Sequence, residues 1–393
     1  MSKNNENKLV PRLRFPEFND NWNPKQICDL LEYERPDNYI VNDTNYTTEG
    51  TPVLTANKSF ILGYTEETNG ICEDIPAIIF DDFTVDKKFV DFPFKVKSSA
   101  IKILRPKGKD DLKFIFELMS LIKFEAKEHK RYYISAYQNL SIPIPKPNEQ
   151  QKIAACLSSL DDVITAESKK LEVLKEHKKG LLQNLFPQQG ETVPKLRFKE
   201  FEDSGEWEEN VLKEVTTFVH EKTQLKTLSI DSYISTENLL SNYAGVTLAS
   251  KLPSSGNFTK YQKGDILISN IRPYLKKVWF ADKNGACSND VIVIRGKSLV
   301  LDIFLSFLLR NDDFINYIMK SAEGVKMPRG DKDSIKEYLI SFPKEKSEQQ
   351  KIADTLSSID DLINAQSQKI ETLKLHKKGL LQGLFPDVNE HNG

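Results

Sequence analysis

Residues 149–186 read EQQKIAACLSSLDDVITAESKKLEVLKEHKKGLLQNLF, and residues 348–385 read EQQKIADTLSSIDDLINAQSQKIETLKLHKKGLLQGLF. Both segments are 38 residues long, hold no proline, and stand at an offset of 199. A chain that repeats so long a polar helix is built from two large copies of one unit, and this constrains the fold before any local propensity does. A second motif agrees. Pro11-Arg-Leu-Arg-Phe-Pro-Glu-Phe18 returns as Pro194-Lys-Leu-Arg-Phe-Lys-Glu-Phe201 at an offset of 183, each copy followed by a tryptophan, Trp22 or Trp207. The second unit is therefore 16 residues longer than the first.

In the first long segment apolar residues fall at Ile153, Leu157, Leu160, Ile164, Leu171, Leu174, Leu181 and Leu185. In the second they fall at Ile352, Leu356, Ile359, Ile363, Ile370, Leu373, Leu380 and Leu384. Glu167 and Lys178 interrupt the first seam, and Gln366 and Lys377 interrupt the second at the same places. Two apolar positions per heptad mark a coiled-coil seam, whereas a helix lying on a broad core shows a wider stripe. Packing of each helix on its own domain is the plainer alternative, but the other faces carry Lys, Glu, Gln and Ser. The order domain, helix, domain, helix lets the copies pair antiparallel with a globular unit at each end. Centring the seams brings Glu167 near Gln366, where polar seam groups set register. The seam of 33 residues spans roughly 50 Å at ~1.5 Å per residue. That is on the order of fifteen base pairs at about 3.4 Å each, the geometry of a ruler for a split target.

The stretches between the motifs align weakly at an offset of 189. Ala77-Ile-Ile-Phe80 matches Ile266-Leu-Ile-Ser269, Lys87-Lys88 matches Lys276-Lys277, and Ser99-Ala-Ile-Lys-Ile-Leu104 matches Ser288-Asn-Asp-Val-Ile-Val293. The extra length falls as about six residues before Ile266 and about ten between Asn311 and Ser334. Short β-branched runs at 52–55, 77–80, 101–104, 265–269, 277–280 and 291–294 read as strands bounded by Gly, Asn and Asp turns. Residues 111–129 and 301–321 carry helical periodicity through Leu112, Ile115, Met119 and Ile122, and through Phe304, Leu308, Ile315 and Met319. Pro143, Pro145 and Pro147 close the first middle and Pro343 the second. These patterns predict an α+β fold: two mixed α/β domains separated by a long two-helix antiparallel coiled coil, with an internal pseudo-twofold repeat. Its parts are a segment 1–20, a domain 21–145, a central region 146–206, a second domain 207–343 and a C-terminal region 344–393.

At 393 residues and 39% apolar the chain can build two or three cores. Cys28, Cys72, Cys156 and Cys287 form no C-x-x-C pair and read as free thiols in a reducing compartment. The N-terminus has no apolar h-region, and no apolar run is long enough to span a bilayer. A cytoplasmic, soluble protein is expected. No G-x-G-x-x-G, P-loop or Asn-Pro-Pro-aromatic motif occurs. His129, His177, His220, His376 and His391 have no metal-ligand spacing. Asp161-Asp162 and Asp360-Asp361 fit solvated helix faces better than acid–base pairs, and Asp81-Asp82 has Asn270-Ile271 at its repeat position. No catalytic or metal site is expected.

The net charge of −2 gives no overall basic footprint; any basic surface is local or comes from other subunits. Residues 87–113 hold nine Lys or Arg against three acids, and residues 251–297 hold nine against three at the matching place. Further on come Lys130-Arg-Tyr-Tyr133 with Tyr137-Gln138, and Lys326-Met-Pro-Arg-Gly-Asp-Lys332. Basic residues beside Tyr, Gln, Ser and Asn can reach phosphates and base edges, although any one alone fits a solvated loop. The DNA-binding candidates are Lys87, Lys88, Arg131, Tyr132, Tyr133 and Gln138 in the first unit. In the second they are Ser269, Asn270, Arg272, Lys276, Lys277 and Arg329.

The combination of P-x-L-R-F-x-E-F, E-Q-Q-K-I-A…L-S-S-L/I-D-D and G-L-L-Q-x-L-F resembles the specificity subunit of type I restriction–modification systems, over nearly the whole chain. The resemblance implies two target-recognition domains, each reading half of a bipartite double-stranded DNA sequence. It also implies central and C-terminal regions paired as an antiparallel coiled coil that sets the gap. Those regions dock two modification subunits, which bind S-adenosylmethionine and methylate adenine; restriction subunits join them. This chain then holds no cofactor and no active site. Two other readings stand beside it: a complete DNA-modifying enzyme, which lacks its motifs here, and a coiled-coil scaffold that never touches DNA.

Overall fold

The computed structural model describes residues 9–388 except 58, 129, 189, 225, 227 and 321–327. His129, His391 and Lys326 lie outside the described residues. The chain forms two compact units that divide each long helix near its middle. One unit runs up to Ser168 and resumes at Gln368, and the other is Lys169–Ser367.

The first unit contains β1 (Asn23–Gln26), α1 (Ile27–Leu30), β2 (Leu31–Glu34), β3 (Thr51–Leu54), β4 (Ile61–Thr65), β5 (Ala77–Asp81), β6 (Lys87–Val90), β7 (Lys95–Val96), β8 (Ile101–Pro106), α2 (Leu112–Leu121) and β9 (Ser141–Ile144). The long helix α3 (Pro147–Asn184) begins here. Strands order as β2-β8-β5-β6 in one antiparallel sheet and β4-β3-β7 in a mixed one, where β3 and β7 run parallel, and β1 pairs with β9. The central strand β5 is buried along its whole length, as its unbroken apolar run Ala-Ile-Ile-Phe requires. Asp111 caps α2 by accepting the Phe114 N–H at 2.8 Å. The helix ends at Leu121, earlier than the periodicity to 129 suggested, where the apolar spacing gives way to Lys123, Glu125 and Lys127. Pro147 stands first in α3, where its missing N–H has no partner to lose.

The second unit contains β10 (Glu208–Val211), α4 (Leu212–Val215), β11 (Thr216–Phe218), β12 (Lys222–Gln224), β13 (Tyr233–Ile234), β14 (Asn257–Tyr261), β15 (Ile266–Ser269), β16 (Val278–Phe280), β17 (Gly285–Cys287), β18 (Val291–Gly296), α5 (Asp302–Leu309), α6 (Asp312–Lys320), α7 (Lys332–Lys336) and β19 (Leu339–Phe342). The second long helix is α8 (Lys346–Leu384). Its sheet β11-β18-β15-β16 repeats β2-β8-β5-β6 strand for strand, and β10–β19 repeats β1–β9. The central ladder keeps register under the 189 shift: Ile78 faces Leu104, and Leu267 faces Val293. The helical stretch expected over 301–321 is two helices, broken at Arg310 and Asn311.

The repeated motifs meet inside each unit. Glu149, 1% exposed in the first turn of α3, accepts two 2.8 Å bonds from Arg14 and a 3.3 Å bond from the Trp22 indole. Glu348 accepts the same three from Arg197 and Trp207. Gln150 takes the Asp111 N–H and donates to Pro145 O, as Gln349 does with Leu301 and Pro343. Leu384 and Phe385 join the core around Trp22 and Phe114, and Leu185 and Phe186 join that around Trp207 and Phe304. Each unit thus takes the start of one long helix and the end of the other. Leu13 N–H donates to Gly383 O and Leu196 N–H to Asn184 O, both at 2.8 Å; the repeat offsets map one bond on the other.

Along the long helices the seam rows are the least exposed. Ile153, Leu157, Ile352, Leu356, Ile359, Gln366 and Ile370 are buried; Leu160, Ile164, Glu167, Leu171, Leu174, Ile363 and Leu373 are half-buried. Three of the four polar interruptions, Glu167, Lys178 and Lys377, form ion pairs. In the first unit Lys377 meets Asp161 at 2.7 Å and Glu117 at 3.1 Å, and Glu167 meets Lys369 at 2.5 Å. In the second, Lys178 meets Asp360 at 2.5 Å.

Candidate nucleic-acid interface

In each unit the last two strands of the four-stranded sheet form a hairpin whose tip is stitched to the segment before the closing strand. In the first unit Asp82 O accepts the Tyr132 N–H at 2.8 Å, and the Asp82 carboxylate accepts the Tyr133 N–H at 2.8 Å. In the second, Asn270 O accepts the Gly330 N–H at 3.0 Å and Pro328 O accepts the Arg272 N–H at 2.9 Å. An exposed arginine sits on each strap, Arg131 in the first unit and Arg329 in the second. The Arg131 guanidinium lies 5.8 Å from the Phe83 ring centre, and Arg329 lies 3.7 Å from Asp290.

The candidates of the first unit therefore cluster, but they do not all face solvent. Lys87 and Lys88 lie half-buried on β6. The Lys87 ammonium stands over the Tyr137 ring at 5.5 Å, and burial lowers its pKa to about 8 against the opposing pull of Asp86. Gln138 donates to Ile134 O at 3.1 Å. Tyr132 and Tyr133 are corrected: at 4% and 0% exposure both rings belong to the core, Tyr133 against Phe80 and Tyr33. The ring neighbours of Tyr133 come from β5 and β2, far away in sequence, while Tyr132 packs on Phe124.

In the second unit Ser269 and Asn270 are also corrected to interior residues, 3% and 9% exposed, with the Ser269 hydroxyl on Ile271 O. Lys276 pairs with Asp312 at 2.6 Å, and Lys277 donates to Thr236 O at 2.7 Å. Arg272 is exposed. Arg272 and Lys276 both hold left-handed backbone, φ 51° and 53°, which costs about 1–2 kcal/mol for each non-glycine residue. Tyr274, 49% exposed between them, was not singled out from the sequence, since nothing in a lone tyrosine's spacing marks it as presented.

The basic windows are less basic as surfaces than as strings. Lys95 pairs with Glu67, Lys102 with Asp82, Arg105 with Glu34 and Asp74, and Lys113 with Glu117 and Asp161. In the second window Lys260 pairs with Glu221 and Arg295 with Asp265, while Lys297 binds two backbone carbonyls. Asp81 caps the hairpin turn through the Phe83 and Thr84 N–H groups, so the Asp81-Asp82 pair is structural. Among the described residues no cluster of His, Cys, Asp and Glu could hold a metal, and no helix is long and apolar enough to cross a membrane.

This duplicated α+β architecture with paired surface hairpins has relatives. Residues 19–176 and 204–375 each match the type I restriction modification DNA specificity domain. The chain belongs to that family, whose role is specificity toward DNA sequence and not catalysis. The EcoR124I/EcoR124II specificity subunit of Escherichia coli is 42% identical over 146 residues, covering 35% of this chain and only 36% of that protein. The MjaVIII specificity subunit of Methanocaldococcus jannaschii is 26% identical over 96% of this chain and 94% of its own length. The crystal structure of the type I S subunit from M. genitalium shares the fold, with a TM-score of 0.62 at 17% identity over 96% of this chain and 99% of that one.

Proposed function

We propose that this chain is the DNA-binding specificity subunit of a type I restriction–modification complex. Domain 21–145 reads one half of a bipartite duplex target and domain 207–343 the other. The two long helices pair as an antiparallel coiled coil that sets the gap, and the central region 146–206 and C-terminal region 344–393 dock two modification subunits. S-adenosylmethionine binds to those subunits and not to this chain; restriction subunits complete the assembly, in the cytoplasm. The observation that carries the reading is the recurrence, at matched places of a repeat, of a hairpin stitched to an arginine-bearing strap. Arginine can bond guanine or phosphate, which gives such a surface its chemistry. The antiparallel pairing is supported by the ion pairs: as numbers rise from Asp161 to Glu167 on α3, their partners fall from Lys377 to Lys369 on α8.

Mapping methylated adenines in a genome that carries this subunit and its methyltransferase tests the proposal. A split motif with a constant gap is expected, and exchanging residues 21–145 for another recognition domain should change one half only. A continuous motif, or a change in both halves, would overturn it.

A further inference from the structure

The turn between β15 and β16 sorts its residues into those that hold it and those it displays. Its backbone is fixed from two sides: Arg272 N–H on Pro328 O at 2.9 Å, Asn242 N–H on Leu275 O at 3.0 Å, and Tyr243 N–H on Lys276 O at 2.9 Å. The side chains of Ser269, Lys276 and Lys277 are held by Ile271 O, Asp312 and Thr236 O. Lys276, one of the two left-handed residues, has its charge matched by Asp312 and is a poor phosphate ligand. What remains outside is Arg272 and Tyr274, both exposed and, among the described residues, without a side-chain hydrogen bond or ion pair. A strained turn clamped this closely fixes the points from which its two free side chains leave the backbone, which reading a base edge requires.

We propose that Arg272 and Tyr274 are the base-contacting pair of the second half-site, and that Lys276 is a positioning residue acting on them through Asp312. This rests on the reading that the second unit recognises duplex DNA. The guanidinium matches the two acceptors of guanine in the major groove; the phenol sets its ring against a thymine methyl or its hydroxyl against a base edge.

The test is selection from a random-sequence duplex library by the full chain with its co-purified subunits, comparing the parent with Arg272→Ala, Tyr274→Ala, Lys276→Met and Lys276→Arg. The parent should select a split motif. Each alanine variant should lose preference at one position of the second half by about tenfold or more, with the first half and the gap unchanged as internal control. Lys276→Met should blur both positions, and Lys276→Arg, which can still reach Asp312, should restore them. A merely structural lysine would lower yield or overall affinity without altering base preference. A parent that selects no second half overturns the underlying reading. A parent motif left unchanged by both alanine variants overturns the pair assignment alone, and one left unchanged by Lys276→Met overturns the positioning role.

Discussion

Arg14 lays two guanidinium nitrogens on the Glu149 carboxylate at 2.8 Å each, joining the N-terminal segment to a helix that starts more than a hundred residues later. Arg197 and Glu348 repeat the arrangement. The Trp22 and Trp207 indoles complete the two clusters. This explains why P-x-L-R-F, the tryptophan and E-Q-Q recur together: they are three parts of one buried junction. The carboxylate there holds the junction together.

Removing one partner of such a pair leaves a buried charge uncompensated. Glu149→Gln is expected to cost about 3–5 kcal/mol, and Glu348→Gln about as much, read as a drop in urea midpoint. The double change Arg14→Met with Glu149→Leu should recover most of the loss. If the double variant is as weak as the single one, the ion pair is not what holds the junction.

The seam lysines should differ in weight. Lys377 serves both Asp161 and Glu117, and Glu117 is only 2% exposed. Lys178 serves Asp360, which also has Arg310 at 3.6 Å. Lys377→Met leaves two carboxylates, Asp161 and Glu117, sharing Lys113 alone and is expected to destabilise by about 1–3 kcal/mol; Lys178→Met should cost less, because it leaves the single Asp360 with Arg310. Equal losses in denaturant unfolding would contradict this ranking.

The sequence made the long helices legible because their period persists over many turns, and the central strands because their β-branched runs are short and bounded. It could not show which basic residues stay available. Lys113 meets Asp161, and Lys102 meets Asp82, across separations that no window count sees. Likewise Tyr133 reads as a polar aromatic in a basic stretch, yet Asp82 pulls its backbone inward and Phe80 covers its ring. The polar seam positions were visible as interruptions, while their partners required the paired helix.

Lys87 supplies a pH test. Burial holds its pKa near 8, so the folded chain binds fewer protons than the unfolded chain between about pH 8 and the ordinary lysine value near 10.4. Folding stability should therefore rise with pH across that window. A phosphate beside the ammonium favours the charged form, so DNA binding takes up a proton. Affinity measured by anisotropy at constant ionic strength should fall as pH rises from about 7 to about 9, and Lys87→Arg should flatten the profile. An unchanged slope in that variant would remove Lys87 from the interface.

The ruler reading makes a geometric demand. Deleting one heptad from both long helices at matched seam positions keeps the apolar pattern and shortens each by ~10 Å, at ~1.5 Å per residue. At about 3.4 Å per base pair that is on the order of three base pairs. The change also turns one half-site relative to the other by roughly a third of a duplex turn, since a turn holds about ten base pairs. The deletion should therefore select a motif with a shorter gap, or abolish selection of a split motif while each half is still bound alone. Selection of the parent gap with parent affinity would show that the helices do not measure it.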